Sequence, residues 1–193
     1  MRVARSRFGG ISMRKLNLTI ISILCGALAS CGNYSLPSPE QQQQARAAIA
    51  PLLTGVAQSR RDGDAVIAIR WDVQDVSLQG DEWSWTEIEV IARSDAEGAE
   101  AVTTRWSISL DPAALGSNVP ASISRQAWGM TLICEETDCV RRRGVRTTVL
   151  DGERTEETLG PEQTDRAEWL FEEFETRDRV TELVKEALGL PPR

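Results

Sequence analysis

The 193-residue chain contains no histidine, and it has one tyrosine and three phenylalanines beside six tryptophans. The absence of histidine excludes Ser-His-Asp and Cys-His catalytic arrangements and every metal site that needs an imidazole ligand. Lys and Arg number 22 against 29 Asp and Glu, which gives a net charge of -7. Such an acidic chain is unsuited to wrapping nucleic acid, so we expect no nucleic-acid partner.

The first 30 residues have no acidic side chain and carry five basic ones. A short apolar stretch over 16–28 follows the basic residues, and it is shorter than the roughly 20 apolar residues that span a bilayer. Basic residues, a short apolar segment and then small residues form the order of a secretory signal. We therefore interpret residues 1–30 as a signal peptide, with Met13 as an alternative start.

The small residues that end this segment are Leu28-Ala29-Ser30-Cys31. They resemble the lipobox of bacterial lipoproteins, whose pattern is Leu, then Ala, Ser or Thr, then Gly, Ala or Ser, then Cys. The resemblance implies cleavage before Cys31, lipidation of its thiol and acylation of the new amino terminus. It also implies the cell envelope, and Gly32 in place of Asp favours the outer membrane, facing the periplasm. The alternative is an ordinary secretory signal with an unrelated Cys.

Residues 31–44 are polar and contain proline, a composition typical of a tether. Residues 45–193 are then expected to form a single α+β domain. The sequence Ser38-Pro39-Glu40-Gln41 is equally suited to begin a helix, because it offers an N-cap, proline at the first position and a capping box. Apolar residues at helical spacing predict a short amphipathic helix over about 40–58.

From residue 65 onward, apolar and polar side chains alternate, which predicts half-buried strands. Turn-forming sequences separate these strands, so we predict an antiparallel meander or roll of about six or seven strands. The apolar parity shifts between Trp83-Ser84-Trp85 and Ile88. This shift predicts a β-bulge near Thr86-Glu87 or a strand buried on both faces. The last short strand is predicted at Val145–Val149.

The carboxy-terminal part returns to helical spacing. Gly160-Pro161 is expected to open a helix of about 25 residues with an apolar stripe from Ala167 to Leu188. Because such a stripe must be buried, we expect the helix to cover the sheet. The order of elements resembles small α+β rolls and PH-like barrels, an analogy that carries no function.

Cys134 and Cys139 are the only thiols left in the chain after cleavage before Cys31 and lipidation of that residue. A pair of cysteines in an oxidising compartment indicates a disulfide, here one that pins a hairpin tip. Redox pairs usually have two intervening residues, and a zinc site needs two further nitrogen or sulfur ligands. We therefore predict a structural disulfide, no metal and no cofactor.

Arg141, Arg142 and Arg143, with Arg146 beyond Gly144, form the one basic cluster of the exported chain. Guanidinium groups are suited to bind an anion such as a phospholipid head group or the carboxylates of a partner. The alternative interpretation is that these charges protect an exposed edge strand from pairing with itself.

The sequence favours a membrane-anchored, non-enzymatic binding or structural module of the envelope, and no catalytic residue is assigned. Phosphate-cradling glycine loops and the Gly-x-Ser-x-Gly motif are absent from the sequence. Its expected partners are the membrane, through the lipid, and an envelope protein or anionic envelope component. The alternative is a carboxylate-based hydrolase acting on glycans. Its carboxylates would come from Asp72, Asp75, Asp81 and Glu82, and its sugar platform from Trp83 and Trp85, although such tryptophan pairs more often fill a core.

Overall fold

The computed structural model describes residues 35–191 apart from residues 97, 118, 120, 125, 126, 136 and 137. The interpreted signal peptide, the lipobox residues Leu28, Ala29 and Ser30, and the proposed lipidation site Cys31 lie outside the described residues. Their assignment therefore stays a prediction from the sequence.

Helix α1 spans Pro39–Ile49 and begins with the predicted capping box. The Ser38 hydroxyl accepts a hydrogen bond from the backbone N–H of Gln41 at 3.3 Å, and the Ser38 N–H donates to Oε1 of Gln41 at 2.8 Å. These two bonds satisfy backbone groups that have no partner within the helix. The capping box is confirmed, and residues 39–44 of the segment interpreted as a tether are helical.

The helix ends earlier than the predicted 40–58. A 3-10 turn over Ala50–Leu52 follows α1, and the first strand begins at Val56. Pro51 explains the early end, because proline has no N–H to donate and its ring clashes with the preceding turn of an α-helix.

Among the described residues, nine strands, a 3-10 turn over Pro112–Ala114 and a second α-helix follow. In chain order the strands and the helix are β1 (Val56–Asp62), β2 (Ala65–Gln79), β3 (Glu82–Ser94), β4 (Ala99–Leu110), β5 (Ala121–Ser124), β6 (Ala127–Ile133), β7 (Val140–Leu150), β8 (Glu153–Thr164), β9 (Arg166–Phe171) and helix α2 (Phe174–Ala187). A main antiparallel sheet has the order β1-β2-β3-β4-β7-β8, and a small one has the order β5-β6-β9. The predicted antiparallel α+β class is confirmed, with more strands than expected and with two sheets.

The predicted 25-residue terminal helix is wrong in its first half, since β8 extends through Gly160-Pro161 and β9 follows. The helix itself spans only the 14 residues of α2. The helix was predicted over β9 because the run Trp169-Leu170-Phe171 is apolar, and in the structure it is buried along its whole length. Periodicity alone does not distinguish a short continuous apolar run in a strand from a buried helix.

The predicted bulge lies on a different strand from the one expected. The pairing of β2 with β3 shifts register between Gln74 and Ser77, and Asp75 has a positive φ of 53° there. Strand β3 itself pairs with β4 without interruption. The parity shift in β3 arises instead because its two faces are both buried around Trp85 and Thr86.

One cluster of buried apolar side chains forms the core, and its members come from the small sheet, both helices and one end of the main sheet. Trp83 and Trp85 are 0% and 2% exposed, which confirms that they fill the core. Trp85 meets Trp169 edge to face, with ring centroids 5.3 Å apart. Val180 of α2 belongs to the same buried cluster, and α2 contacts α1, β6 and β9.

Candidate basic binding site

Strand β7 divides the basic cluster between the two faces of the main sheet. Its register against β4 places Arg142 opposite Ile108, and Arg143 opposite Ser107. Successive side chains of a strand point to opposite faces. Arg142 and Arg146 therefore share the face of the buried Ile108, which we call the inner face. Arg141 and Arg143 lie on the other, outer face.

The two inner-face arginines are neutralised by the neighbouring strand. Nε of Arg142 donates to Oε2 of Glu162 at 2.8 Å, and Nη1 of Arg146 donates to Oε2 of Glu157 at 3.2 Å. Both glutamates belong to β8, which pairs with β7. These two members of the predicted anion site already have carboxylate partners within the chain.

The outer-face arginines have a different environment. Arg141 and Arg143 are exposed, and across the sheet they face Ser109 and Ser107, while Ser84 of β3 pairs with Ser109. These five residues line a shallow cleft of about 310 Å³, beside Pro161. We call it the Arg-Ser cleft. Within the part of the chain that the structure describes, neither arginine forms an ion pair.

Sequence reasoning missed the three serines of the Arg-Ser cleft, and it also missed Arg105, which lies on the same face of β4. A signal for them was present, because Arg105, Ser107 and Ser109 alternate with the apolar residues of β4. What the sequence did not show is that β7 pairs with β4, since β5 and β6 intervene in the chain.

The edge-strand interpretation of the basic cluster is wrong, because β7 lies inside the main sheet between β4 and β8. The edges are β1 and β8. Strand β8 carries Glu153, Glu156, Glu157 and Glu162 together with Pro161, and charges and proline are the devices that discourage edge-to-edge pairing.

A second cleft, of about 390 Å³, adjoins the first and shares Ser109 and Arg141 with it. The remaining lining includes four carboxylates, which are Asp81, Glu82, Asp111 and Asp138. Among the residues that the structure describes, no group of His, Cys, Asp and Glu is arranged to hold a metal ion.

The hydrolase alternative loses its sugar platform, because the rings of Trp83 and Trp85 are buried in the core. Of its candidate carboxylates, Asp72 is engaged by Arg70 at 2.7 Å, and Asp75 lies at the bulge of β2. Of these four candidate carboxylates, only Asp81 and Glu82 line the second cleft, which we call the acidic cleft. The predicted constellation is therefore not brought together.

Cys134 and Cys139 form a disulfide, with their Cα atoms 5.8 Å apart. The bond does not pin a hairpin tip as expected, because β6 and β7 belong to different sheets. It instead links the two ends of the connection that runs from β6 of the small sheet to β7 of the main sheet. Cys139 immediately precedes the buried Val140, so the bond fixes the start of the strand that carries the arginines.

Asp165 and Arg166 form an exposed ion pair between β8 and β9. Nε and Nη2 of Arg166 each donate to a carboxylate oxygen of Asp165 at 2.9 Å. These hydrogen bonds hold the pKa of Asp165 below its usual value and raise the pKa of Arg166. The pair lines neither of the two clefts.

None of the helices in the described part of the chain is long and apolar enough to cross a membrane. Comparison of the chain with protein-family models, with curated proteins and with solved structures finds no match.

Proposed function

We propose that the protein is a lipid-anchored component of the bacterial cell envelope that acts as a non-enzymatic binding module. The observation that carries the binding role is the Arg-Ser cleft, where two exposed arginines have no carboxylate partner among the described residues, unlike Arg142 and Arg146. Guanidinium groups without an internal partner are available to an external anion. The ligand of this module is an envelope protein or another anionic envelope component.

The anchor is supported by the order of features in the first 31 residues. Basic residues, a short apolar segment and Leu28-Ala29-Ser30-Cys31 occur in succession, as in bacterial lipoproteins. Two or three acyl chains on Cys31 anchor a protein stably, whereas one chain binds only marginally. Gly32 supports the outer membrane, with the folded domain facing the periplasm.

We also propose a PH-like order for the fold, in which α2 covers one end of the main sheet. Support comes from the buried cluster that contains Val180 and Val184 of α2 together with Trp83 and Trp85 of β3. An experimental structure of the chain would test this arrangement directly.

The anchor is tested by labelling cells with palmitate. The wild type is expected to incorporate label and to fractionate with the membrane, and Cys31→Ser is expected to lose the label completely. Cys25→Ser is the matched control, because Cys25 lies in the segment that is removed and its loss should leave labelling unchanged. Labelling of Cys31→Ser at the wild-type level would overturn the anchor.

The binding role is tested by crosslinking in intact cells from a photoreactive group placed at Ser107. We expect one specific envelope component to be captured by the wild type and lost from the Arg141→Gln/Arg143→Gln variant. Recovery of the same bulk envelope proteins from both forms would contradict a specific binding role.

A further inference from the structure

The Arg-Ser cleft offers a set of hydrogen-bond donors suited to a phosphate group. Each guanidinium has five N–H donors in a planar fork, and each serine adds one hydroxyl. Ser84, Ser109 and Arg141 occupy one row across three paired strands, and Ser107 and Arg143 occupy the next row on the same face. Directly paired residues have Cβ atoms roughly 5 Å apart, so donors from both rows can converge on one group of oxygens.

The charges around the cleft define where an anion can approach. Asp81, Glu82, Asp111 and Asp138 line the neighbouring acidic cleft, and Arg141 lies between the two clefts. Of these two clefts, Arg143 lines the Arg-Ser cleft alone, and Arg105 adds a further positive charge on that face. The Arg143 side is therefore the favourable approach for an anion.

The length of chain between Cys31 and α1 limits how far the start of α1 can lie from the proposed anchor. Pro39 and Gly80 line one cavity of about 520 Å³, so the start of α1 lies beside the hairpin that joins β2 to β3. Ser84 follows Gly80 by four residues, which is about 13 Å along a strand. Eight residues lead from Cys31 to Pro39, and they span at most about 29 Å.

From these observations we infer that the Arg-Ser cleft binds the phosphate of an anionic lipid headgroup in the membrane that holds the anchor. This inference rests on the proposed function, because only an anchored chain stays within reach of the headgroups. The guanidinium of Arg143 and the Ser107 hydroxyl contact the phosphate oxygens first, and Arg141 with Ser109 completes the contact. The anchor supplies attachment, and the cleft sets the orientation of the sheet against the membrane.

The test measures vesicle binding of the full chain carrying Cys31→Ser, so that no lipid anchor contributes. Phosphatidylcholine vesicles with and without phosphatidylglycerol are compared by flotation. Removing two basic side chains with Arg141→Gln/Arg143→Gln is expected to lower binding to the phosphatidylglycerol vesicles about 30-fold, since each basic side chain near an anionic surface contributes roughly fivefold. Binding to phosphatidylcholine alone is expected to stay unchanged. The five basic residues of the signal segment are the same in every variant, so their contribution to phosphatidylglycerol binding is common to all of them.

Two further variants separate a site from general charge. Arg60→Gln/Arg61→Gln removes the same charge from exposed positions of β1 and is expected to keep binding. Ser107→Ala/Ser109→Ala keeps the charge but removes two donors, and it is expected to weaken binding to the phosphatidylglycerol vesicles less than the double arginine variant does. The inference would be overturned if the β1 variant lost as much binding as Arg141→Gln/Arg143→Gln does. It would also be overturned if neither cleft variant lost binding.

Competition with inorganic phosphate distinguishes a lipid headgroup from free phosphate as the source of the bound phosphate group. Binding to phosphatidylglycerol vesicles should persist when inorganic phosphate is added at constant ionic strength. Complete displacement would identify free phosphate as the ligand and overturn the headgroup assignment. Arginine-dependent crosslinking to a protein in cells, without any vesicle binding, would overturn it in favour of a protein partner. The palmitate experiment on the wild type reports on the anchor independently, so failure of either proposal is recognised separately.

Discussion

Arg142 lies over the indole ring of Trp106, with its guanidinium carbon 4.7 Å from the ring centroid, while its Nε donates to Glu162. Trp106 of β4 pairs with Gly144 of β7, and the indole ring has room because Gly144 has no side chain. A Cβ at Gly144 would lie 2.7 Å from Cε3 of Trp106 and 2.6 Å from the backbone oxygen of Arg105. Gly144 thus leaves room for the ring against which the Arg142 guanidinium packs.

Gly144→Ala is expected to lower the free energy of unfolding by about 1–3 kcal/mol, because a rigid backbone atom cannot move away from the new methyl group. Urea denaturation followed by tryptophan fluorescence measures the change. Gly116→Ala is the control, since its Cβ would meet a side-chain carbon of Glu135 at 3.1 Å, which has more freedom to move. Equal losses in the two variants would contradict the role of Gly144 in making room for the ring.

Removing the disulfide with Cys134→Ser/Cys139→Ser is expected to lower the free energy of unfolding by about 2 kcal/mol, because the loop that it closes in the unfolded chain is short. Denaturation with and without reductant provides the measurement. Reductant should destabilise the wild type by a similar amount and leave the double variant unchanged. A wild type that does not respond to reductant would count against the bond.

Arg177 of α2 is 7% exposed and its guanidinium lies against two aromatic rings, 4.3 Å from the centroid of Phe174 and 5.4 Å from that of Trp128. Arg177→Ala is expected to cost about 2 kcal/mol, since it removes both cation–π contacts, the packing of the aliphatic stem and the hydrogen bond from Nε to Asp178. Thermal and urea unfolding check this value. Arg179→Ala, on the exposed side of the same helix, should change stability by less than about 0.5 kcal/mol. Equal effects would show that the rings do not hold Arg177.

The ion pair of Asp165 and Arg166 predicts the direction of a titration. Arg166→Gln removes the hydrogen bonds that hold the pKa of Asp165 low, so that pKa is expected to rise toward 3.8. Because the pKa of the folded state is lowered, any stabilisation from the pair is present above the unfolded value and is lost as the pH falls through the folded one. Carboxyl carbon NMR measures the shift, and an unchanged pKa of Asp165 in Arg166→Gln would show that these hydrogen bonds are not its cause.

Local patterns in the sequence predicted the features that depend on neighbouring residues. The capping box at Ser38, the alternation in β4 and the pairing of Cys134 with Cys139 were all readable in this way. Strand β8 was not, because its residues are almost all polar and exposed at a sheet edge, which leaves no apolar period to detect.

The division of the basic cluster was only partly predictable. Alternation along a strand separates Arg141 and Arg143 from Arg142 and Arg146, but the predicted strand began only at Val145, whereas β7 begins at Val140. The partners do not follow from it, because Glu157 and Glu162 come from a strand that periodicity did not reveal. The order of strands in the sheet therefore decides which arginines have carboxylate partners, because it places β8 beside β7.

Intact mass spectrometry of the protein extracted from membranes tests the central claim most directly. We expect a chain that begins at Cys31, with diacylglyceryl on its thiol and an acyl group on its amino terminus, and with Cys134 and Cys139 lacking two hydrogens because they are joined. An amino terminus at any other residue, or an unmodified Cys31, would contradict a lipid-anchored envelope protein.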